Sequence, residues 1–290
     1  MAAGAAGIVV MASGGAACAA NPSPLQVQSD ITYVTRDTLP LKLDIYLPPG
    51  HNTTEARPAI LMIHGGGWQQ GSRKDIASIA NGCALAGFIS VAVDYRLVTA
   101  TANKFPAQLD DVQTAVRWLR ANASRFGIDP NKIGAWGQSA GGHLAALLGT
   151  EDTRDNSDKA LASFSSRVQA VVDLSGPTLF LHAPETNLTQ QAIALVTNFL
   201  GNRPEDAIDL ATLASPALHI DNKTAPMFIV HGTADPLVPV SQAEVFYAML
   251  KAKGRDATLL KLDGEGHGFS DAANRRWITE SLIFFREKLK

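Results

Sequence analysis

Ser139 stands between two glycines in "GQSAG" (137–141), where a strand-like run, "KIGAWGQ", passes into a helix-like one, "AGGHLAALLG". A hydroxyl on so sharp a turn can attack a carbonyl carbon, provided that a base takes its proton. A turn that merely needs glycines would look the same over five residues; the strand before it and the helix after it favour a nucleophile. Of seven histidines, His267 in "GEGHGF" is the candidate base, on a glycine-flanked loop after the last expected strand. His143, four residues past Ser139, is expected to point into packing. His64 and His231 end strands and are expected to bond backbone locally. The base needs an acid to hold its tautomer and stabilise its cation. Two carboxylates are placed for this: Asp235 in "HGTADPLVP", and Asp263, four residues before His267. "HGGGW" (64–68) follows another strand. Its glycines let the backbone pass close to a bound carbonyl, so the N–H groups of Gly66, Gly67 and Ala140 form a candidate oxyanion hole. The stretch does not match the phosphate-loop pattern.

These residues need elements that bring them to one edge. "LKLDIYLP" alternates apolar and polar residues, as a half-exposed strand does. "AILMIH" (59–64) and "FISVAVDYR" (88–96) are short runs rich in Ile and Val, expected as buried parallel strands. "SIANGCALAG" between them is expected as a helix. "AQLDDVQTAVRWLRANASRFG" carries Leu109, Val112, Ala115, Val116 and Leu119 at helical spacing, with Pro106 before it and Gly127 at its end. Further strands are expected over 168–176, in "PMFIVHG" and in "ATLLKLD", and a last helix in "NRRWITESLIFFREKL". The alternation predicts an α/β fold, with a mostly parallel central sheet and helices on both faces. The segment 177–215 breaks the rhythm. It is expected as a small cap-like insertion over the carboxyl ends of the strands, with no long amphipathic stripe of the lipid-binding kind.

Taken together, "HGGGW", "DYRL", "GQSAGGHLA", "HGTADPLVPVSQAE" and "GEGHGF" resemble the α/β-hydrolase carboxylesterases. The nearest branches are the feruloyl/acetyl carbohydrate esterases and the hormone-sensitive-lipase-like esterases. The resemblance runs from about Leu41 to Lys290. It implies the chain order nucleophile, acid, base, which selects Ser139, Asp235 and His267 over Asp263. Gln138 replaces the acidic residue usual in lipase-like members, and no "APE" follows "DYRL"; both details pull toward the carbohydrate-esterase branch. The implied reaction is hydrolysis of short acyl esters through an acyl-enzyme, with no cofactor and no metal, on a small-molecule or saccharide ester. Trp68 is expected either as a flat face for a sugar or ferulate ring or as a core residue. Asp94 and Arg96 are expected as an ion pair or loop anchors. Two other readings compete: an aryl-formamidase-like amide hydrolase, through its related "HGG-x-W" loop, and a non-catalytic binding protein of the same fold, which would usually lack a triad member.

Bulk properties narrow the field. Net charge is −2, from 25 basic and 27 acidic residues, with no basic stripe, so nucleic acid is not an expected partner. Apolar residues are 46% and charged ones 18%, a globular composition. No apolar run is long enough to span a membrane, and no Cys/His group has metal-ligand spacing. Residues 1–20, small and apolar and ending in "AACAA", resemble a secretory leader without its positive start, so a secreted or periplasmic location is expected, with 21–290 a single catalytic domain. Cys18 and Cys83 leave no internal disulfide once such a leader is removed.

Overall fold

A computed structural model describes residues 24–181 and 188–290. The leader-like segment with Cys18 lies outside the described residues, as do 182–187 of the expected insertion. The strands are β1 (Gln26–Arg36), β2 (Leu39–Leu47), β3 (Arg57–Ile63), β4 (Ile89–Val93), β5 (Ile128–Gln138), β6 (Ala170–Leu174), β7 (Met227–Gly232) and β8 (Ala257–Leu262). They form one sheet in the order β1-β2-β4-β3-β5-β6-β7-β8. β1 and β2 run antiparallel to their neighbours and the remaining pairs are parallel.

Four of the central strands, β3, β4, β6 and β7, are buried on both faces over most of their length, which is why they read as apolar runs. One face is covered by α1 (Ala77–Leu85) and α8 (Asp271–Lys288). Ala80, Cys83, Trp277 and Phe285 meet Ile60, Met62, Trp136 and Val230 there. The other face is covered by α2 (Ala107–Ala121), α3 (Ala123–Phe126), α4 (Ala140–Thr150) and α7 (Ser241–Ala252). Phe126, Phe246 and Phe285 are among the largest fully buried side chains, and each such burial stabilises the fold by about 1.5–3 kcal/mol.

Two expectations shift. The long helix read from Ala107 to Gly127 is broken at Asn122 into α2 and the single turn α3; Gly127 does end it, left-handed at φ 61°. β1 was not expected at all. Both its faces are largely exposed, so no apolar alternation marks it, and its ladder with β2 slips between Gln28 and Ile31 and again between Thr32 and Val34. The segment 177–215 carries α5 (Gln190–Leu200) and α6 (Ile208–Leu213). α5 is capped by the Thr189 hydroxyl, which accepts from Ala192 N–H. Its apolar side, Ala192, Val196, Phe199 and Leu200, is buried in the protein.

Candidate active site

The turn at Ser139 is dictated by close approach. Ser139 takes φ 57° and ψ −122°, outside the usual regions for an L-residue. A Cβ on Gly137 would lie 2.1 Å from Gly141 O, and one on Gly141 would lie 2.1 Å from Ile63 O. Both glycines of "GQSAG" are therefore required by the contact of β5, α4 and β3. The Ser139 N–H donates to Leu174 O at 2.7 Å, which ties the turn to the end of β6. Ala140 opens α4, so its N–H lies at the positive end of that helix.

His267 arrives from the loop after β8. That loop can approach β7 because Gly232 has no side chain: a Cβ there would stand 2.3 Å from Glu265 O. Ala234 N–H donates to Glu265 O at 2.9 Å and fixes the two loops together. The result is a continuous line. His267 Nε2 is 2.9 Å from Ser139 Oγ, and His267 Nδ1 is 2.7 Å from Asp235 Oδ2. Asp235 Oδ1 accepts the N–H groups of Leu237 and Val238, each at 2.9 Å. Burial disfavours the Asp235 carboxylate, but the hydrogen bonds from His231 and His267 and the Val238 N–H outweigh it, and its pKa falls well below the usual range. Asp263 is exposed and accepts from Thr233 Oγ1 at 3.2 Å, so it does not join the line.

The "HGGGW" loop is held from behind. The His64 ring stacks on Tyr95 at 4.3 Å, and its Nδ1–H donates to Gly65 O at 2.7 Å. Tyr95 OH donates to His64 O at 3.1 Å. Gly66 and Gly67, at φ 106° and 58°, line a cleft of about 500 Å³ with Ser139 and His267. Four glutamines also line it: Gln69, Gln70, Gln138 and Gln191. A second recess, of about 20 Å³, opens at Ser139 and Ala140 between Trp68, Pro177, Val196 and Val238. Leu195 and Leu237 border both spaces. Gln191 and Leu195 could not be found from the motifs, because they come from α5, far from them in sequence.

Other residues resolve as follows. Trp68 is a core residue. It is 3% exposed, stacks on Phe199 at 4.1 Å, and donates from Nε1 to His143 Nδ1 at 3.2 Å. His143 is buried as expected; its Nε2–H donates to Ala214 O at 2.7 Å, and burial pushes its pKa down to about 4. Asp94 and Arg96 do not pair with each other. Asp94 takes Arg73, which also holds Asp30 and Asp44, while Arg96 grips Asp111 of α2 through two bonds of 2.8 Å. Among the described residues, no group of His, Cys, Asp or Glu is arranged to hold a metal ion, and no helix is long and apolar enough to cross a membrane.

Comparison with known proteins finds esterases. Esterase LipC of Mycobacterium tuberculosis is 33% identical over 224 residues, 74% of this chain and 54% of its own length. The chain spans about half the length of the first curated relatives it matches. A truncated carbohydrate esterase from gut microbiota superposes with a TM-score of 0.79 at 30% identity, covering 92% of this chain and 99% of that one. The propionate-bound esterase 2 of Thermogutta terrifontis gives 0.77 at 29%, covering 91% and 94%. The model of the BD-FAE family matches residues 43–250. With that match over most of its length, and with a mostly parallel sheet like those of its structural neighbours, the chain belongs to the BD-FAE family and has the α/β-hydrolase fold.

Proposed function

We propose that this chain is a serine carboxylesterase that hydrolyses short acyl esters through an acyl-enzyme intermediate, on an alcohol of neutral, hydroxyl-rich, saccharide type. The observation that carries the reading is the unbroken line Ser139–His267–Asp235, opening into a cleft beside the Gly66–Gly67 backbone. In this reading His267 Nε2 takes the Ser139 proton as Oγ attacks the acyl carbonyl. Asp235 keeps the proton of His267 on Nδ1 and stabilises the imidazolium. The N–H groups of Gly66, Gly67 and Ala140 receive the oxyanion, helped by the positive end of α4. The alcohol leaves with the proton from His267, which next activates water to release the acid.

The substrate class is supported by the two spaces that meet at Ser139. The recess is small and walled by Trp68, Val196 and Val238, which suits an acetyl or similarly short acyl group. The cleft presents amide heads, and among the described residues His267 is its one titratable lining residue, which suits an uncharged partner rich in hydroxyls. Two structural neighbours, a carbohydrate esterase and an esterase holding propionate, point the same way.

The test is a rate series on p-nitrophenyl esters from acetyl to dodecanoyl, beside acetate release from acetylated xylo-oligosaccharide. Rates should peak at acetyl to butyryl, and Ser139→Ala should lower kcat by about 10⁴–10⁶. A peak at dodecanoyl contradicts the short-acyl assignment. No acetate from the oligosaccharide removes the saccharide assignment. Near-normal turnover by Ser139→Ala ends the serine-esterase reading.

A further inference from the structure

One of the four glutamines of the cleft differs from the other three. The side-chain amides of Gln70, Gln138 and Gln191 bond to nothing among the described residues, so each can turn either its oxygen or its NH₂ group to a ligand. Gln69 is held one way round. Its Oε1 accepts from Asn198 Nδ2–H at 2.8 Å. Asn198 lies near the end of α5, and its own Oδ1 accepts from Lys104 Nζ at 2.7 Å. An ammonium has hydrogens to give and no acceptor, so only an oxygen can face it. Lys104 therefore fixes which way the Asn198 amide points, and Asn198 in turn fixes Gln69. The Nε2 group of Gln69 is left outward, and nothing among the described residues accepts its hydrogens.

Both ends of this relay are anchored. Lys104 gives its other two hydrogens to Thr99 O and Asn198 O, each at 2.8 Å, so all three are used. Asn198 O belongs to the last turn of α5, where a cation is favoured. Beside it Phe105 N–H donates to Phe199 O at 2.9 Å, which ties the segment carrying Lys104 to the same turn. At the other end, Gln69 N–H donates to Gly66 O at 3.1 Å, so Gln69 shares a turn with the candidate oxyanion donors. A Cβ built on Gly67 would stand 3.8 Å from Gln69 Nε2, and both residues line the cleft. In the proposed reaction the acyl group takes the small recess, so the alcohol half of the ester is what meets Gln69.

We propose that Lys104 and Asn198 lock Gln69 as a one-way hydrogen-bond donor, and that this donor selects alcohols offering an ether oxygen, the acceptor-only atom of a pyranoside. Gln69 is a specificity residue, and Asn198 and Lys104 are positioning residues. A substrate hydroxyl both gives and accepts, so any of the free glutamines serves it. An ether oxygen is served only by a donor, and a donor already turned outward meets it without a change of rotamer. The selection rests on the serine-esterase reading of the site; the lock on Gln69 does not.

Asn198→Asp tests the lock from outside the cleft. The new carboxylate keeps the contact with Lys104, so the fold is retained, but it has no hydrogen for Gln69. The Gln69 head must then turn round, giving its NH₂ to the carboxylate and presenting Oε1 to the cleft. Nitrogen-15 NMR of the side-chain amides reads this directly, with Gln69→Glu assigning the signal. The Gln69 NH₂ hydrogens should exchange freely with water in the wild type and about tenfold more slowly in Asn198→Asp. Kinetics give the second arm. The acetates of 3- and 4-hydroxytetrahydropyran are compared with cyclohexyl acetate, which lacks only the ether oxygen. The wild type should favour an ether ester in kcat/KM. Asn198→Asp should lower that preference about tenfold, through KM, as expected for one hydrogen bond. Gln69→Glu accepts from Asn198 and shows a second carboxylate oxygen to the cleft, so it should lower the preference too. The proposal is overturned if the Gln69 NH₂ exchanges alike in the wild type and Asn198→Asp, or if the preference is the same in all three proteins. It is also overturned if all the esters lose rate equally, which marks a structural role alone. Absence of any ester hydrolysis by the wild type would end the esterase reading and the selection with it, and the NMR arm would still decide the lock.

Discussion

Replacing Asp235 by asparagine tests the relay at its most constrained atom. Two backbone N–H groups, of Leu237 and Val238, point at Oδ1 from 2.9 Å each. An asparagine must keep its carbonyl oxygen there. Turning the amide round would set its NH₂ against two N–H donors and leave both unsatisfied, at about 1–3 kcal/mol each. The NH₂ group is thereby forced into the place of Oδ2, 2.7 Å from His267 Nδ1. A donor at that point selects the tautomer with a bare Nδ1 and a hydrogen on Nε2. Nε2 then has no lone pair for the Ser139 proton, although every heavy atom can stay in place. The expected loss is about 10⁴ in kcat, or about 5 kcal/mol of barrier, with KM little changed. The assay is p-nitrophenyl acetate hydrolysis, with circular dichroism to show that the variant is folded. Asp263→Asn is the control, since that side chain touches only Thr233 near the site. The reasoning fails if Asp235→Asn keeps a tenth or more of wild-type kcat, or if Asp263→Asn is the variant that loses activity.

Leu195 borders both the recess and the cleft, so Leu195→Ala should join them and relax the acyl limit. The ratio of kcat/KM for butyryl over acetyl esters should rise by roughly fourfold per methylene newly accommodated; an unchanged ratio would remove Leu195 as the divider. His143 accepts from Trp68 Nε1–H at Nδ1, so it cannot take a second proton there without breaking that bond. Its folded pKa, pushed down to about 4 by burial, lies below the unfolded value, so its contribution to stability is present above the unfolded pKa and is lost as pH falls toward 4. Urea unfolding across that window should show the wild type losing about 3 kcal/mol more than His143→Gln; parallel curves would show that His143 is not the group responsible.

What was legible in the sequence is what local geometry forces. Gly137 and Gly141 are set by contacts of 2.1 Å within a strand–turn–helix unit, so the place of Ser139 could be read from five letters and their flanks. The central strands are wrapped on both faces and read as apolar runs for that reason. β1 escaped because its hydrogen bonds to β2 are backbone groups, which leave no trace in side-chain pattern. Asp94 and Arg96 read as an ion pair or as loop anchors; they do not pair, and each instead holds a partner distant in sequence, Arg73 and Asp111. Trp68 was open between two roles until α5 placed Phe199 flat against it.

The ragged pairing of β1 has a consequence for how copies of this chain can meet. β1 is the outermost strand on its side of the sheet, and an outermost strand offers unused N–H and C=O groups to any extended chain that comes alongside. Here the backbone turns to φ 61° at Asp30, and two slips of register interrupt the ladder within eleven residues. A newcomer laid along β1 would have to reproduce the same interruptions to form more than a few bonds in a row. Arg73 reinforces the distortion by gripping Asp30 from within the same molecule. Straightening this margin, by removing the turn at Asp30, should turn a guarded border into a template for strand-to-strand assembly.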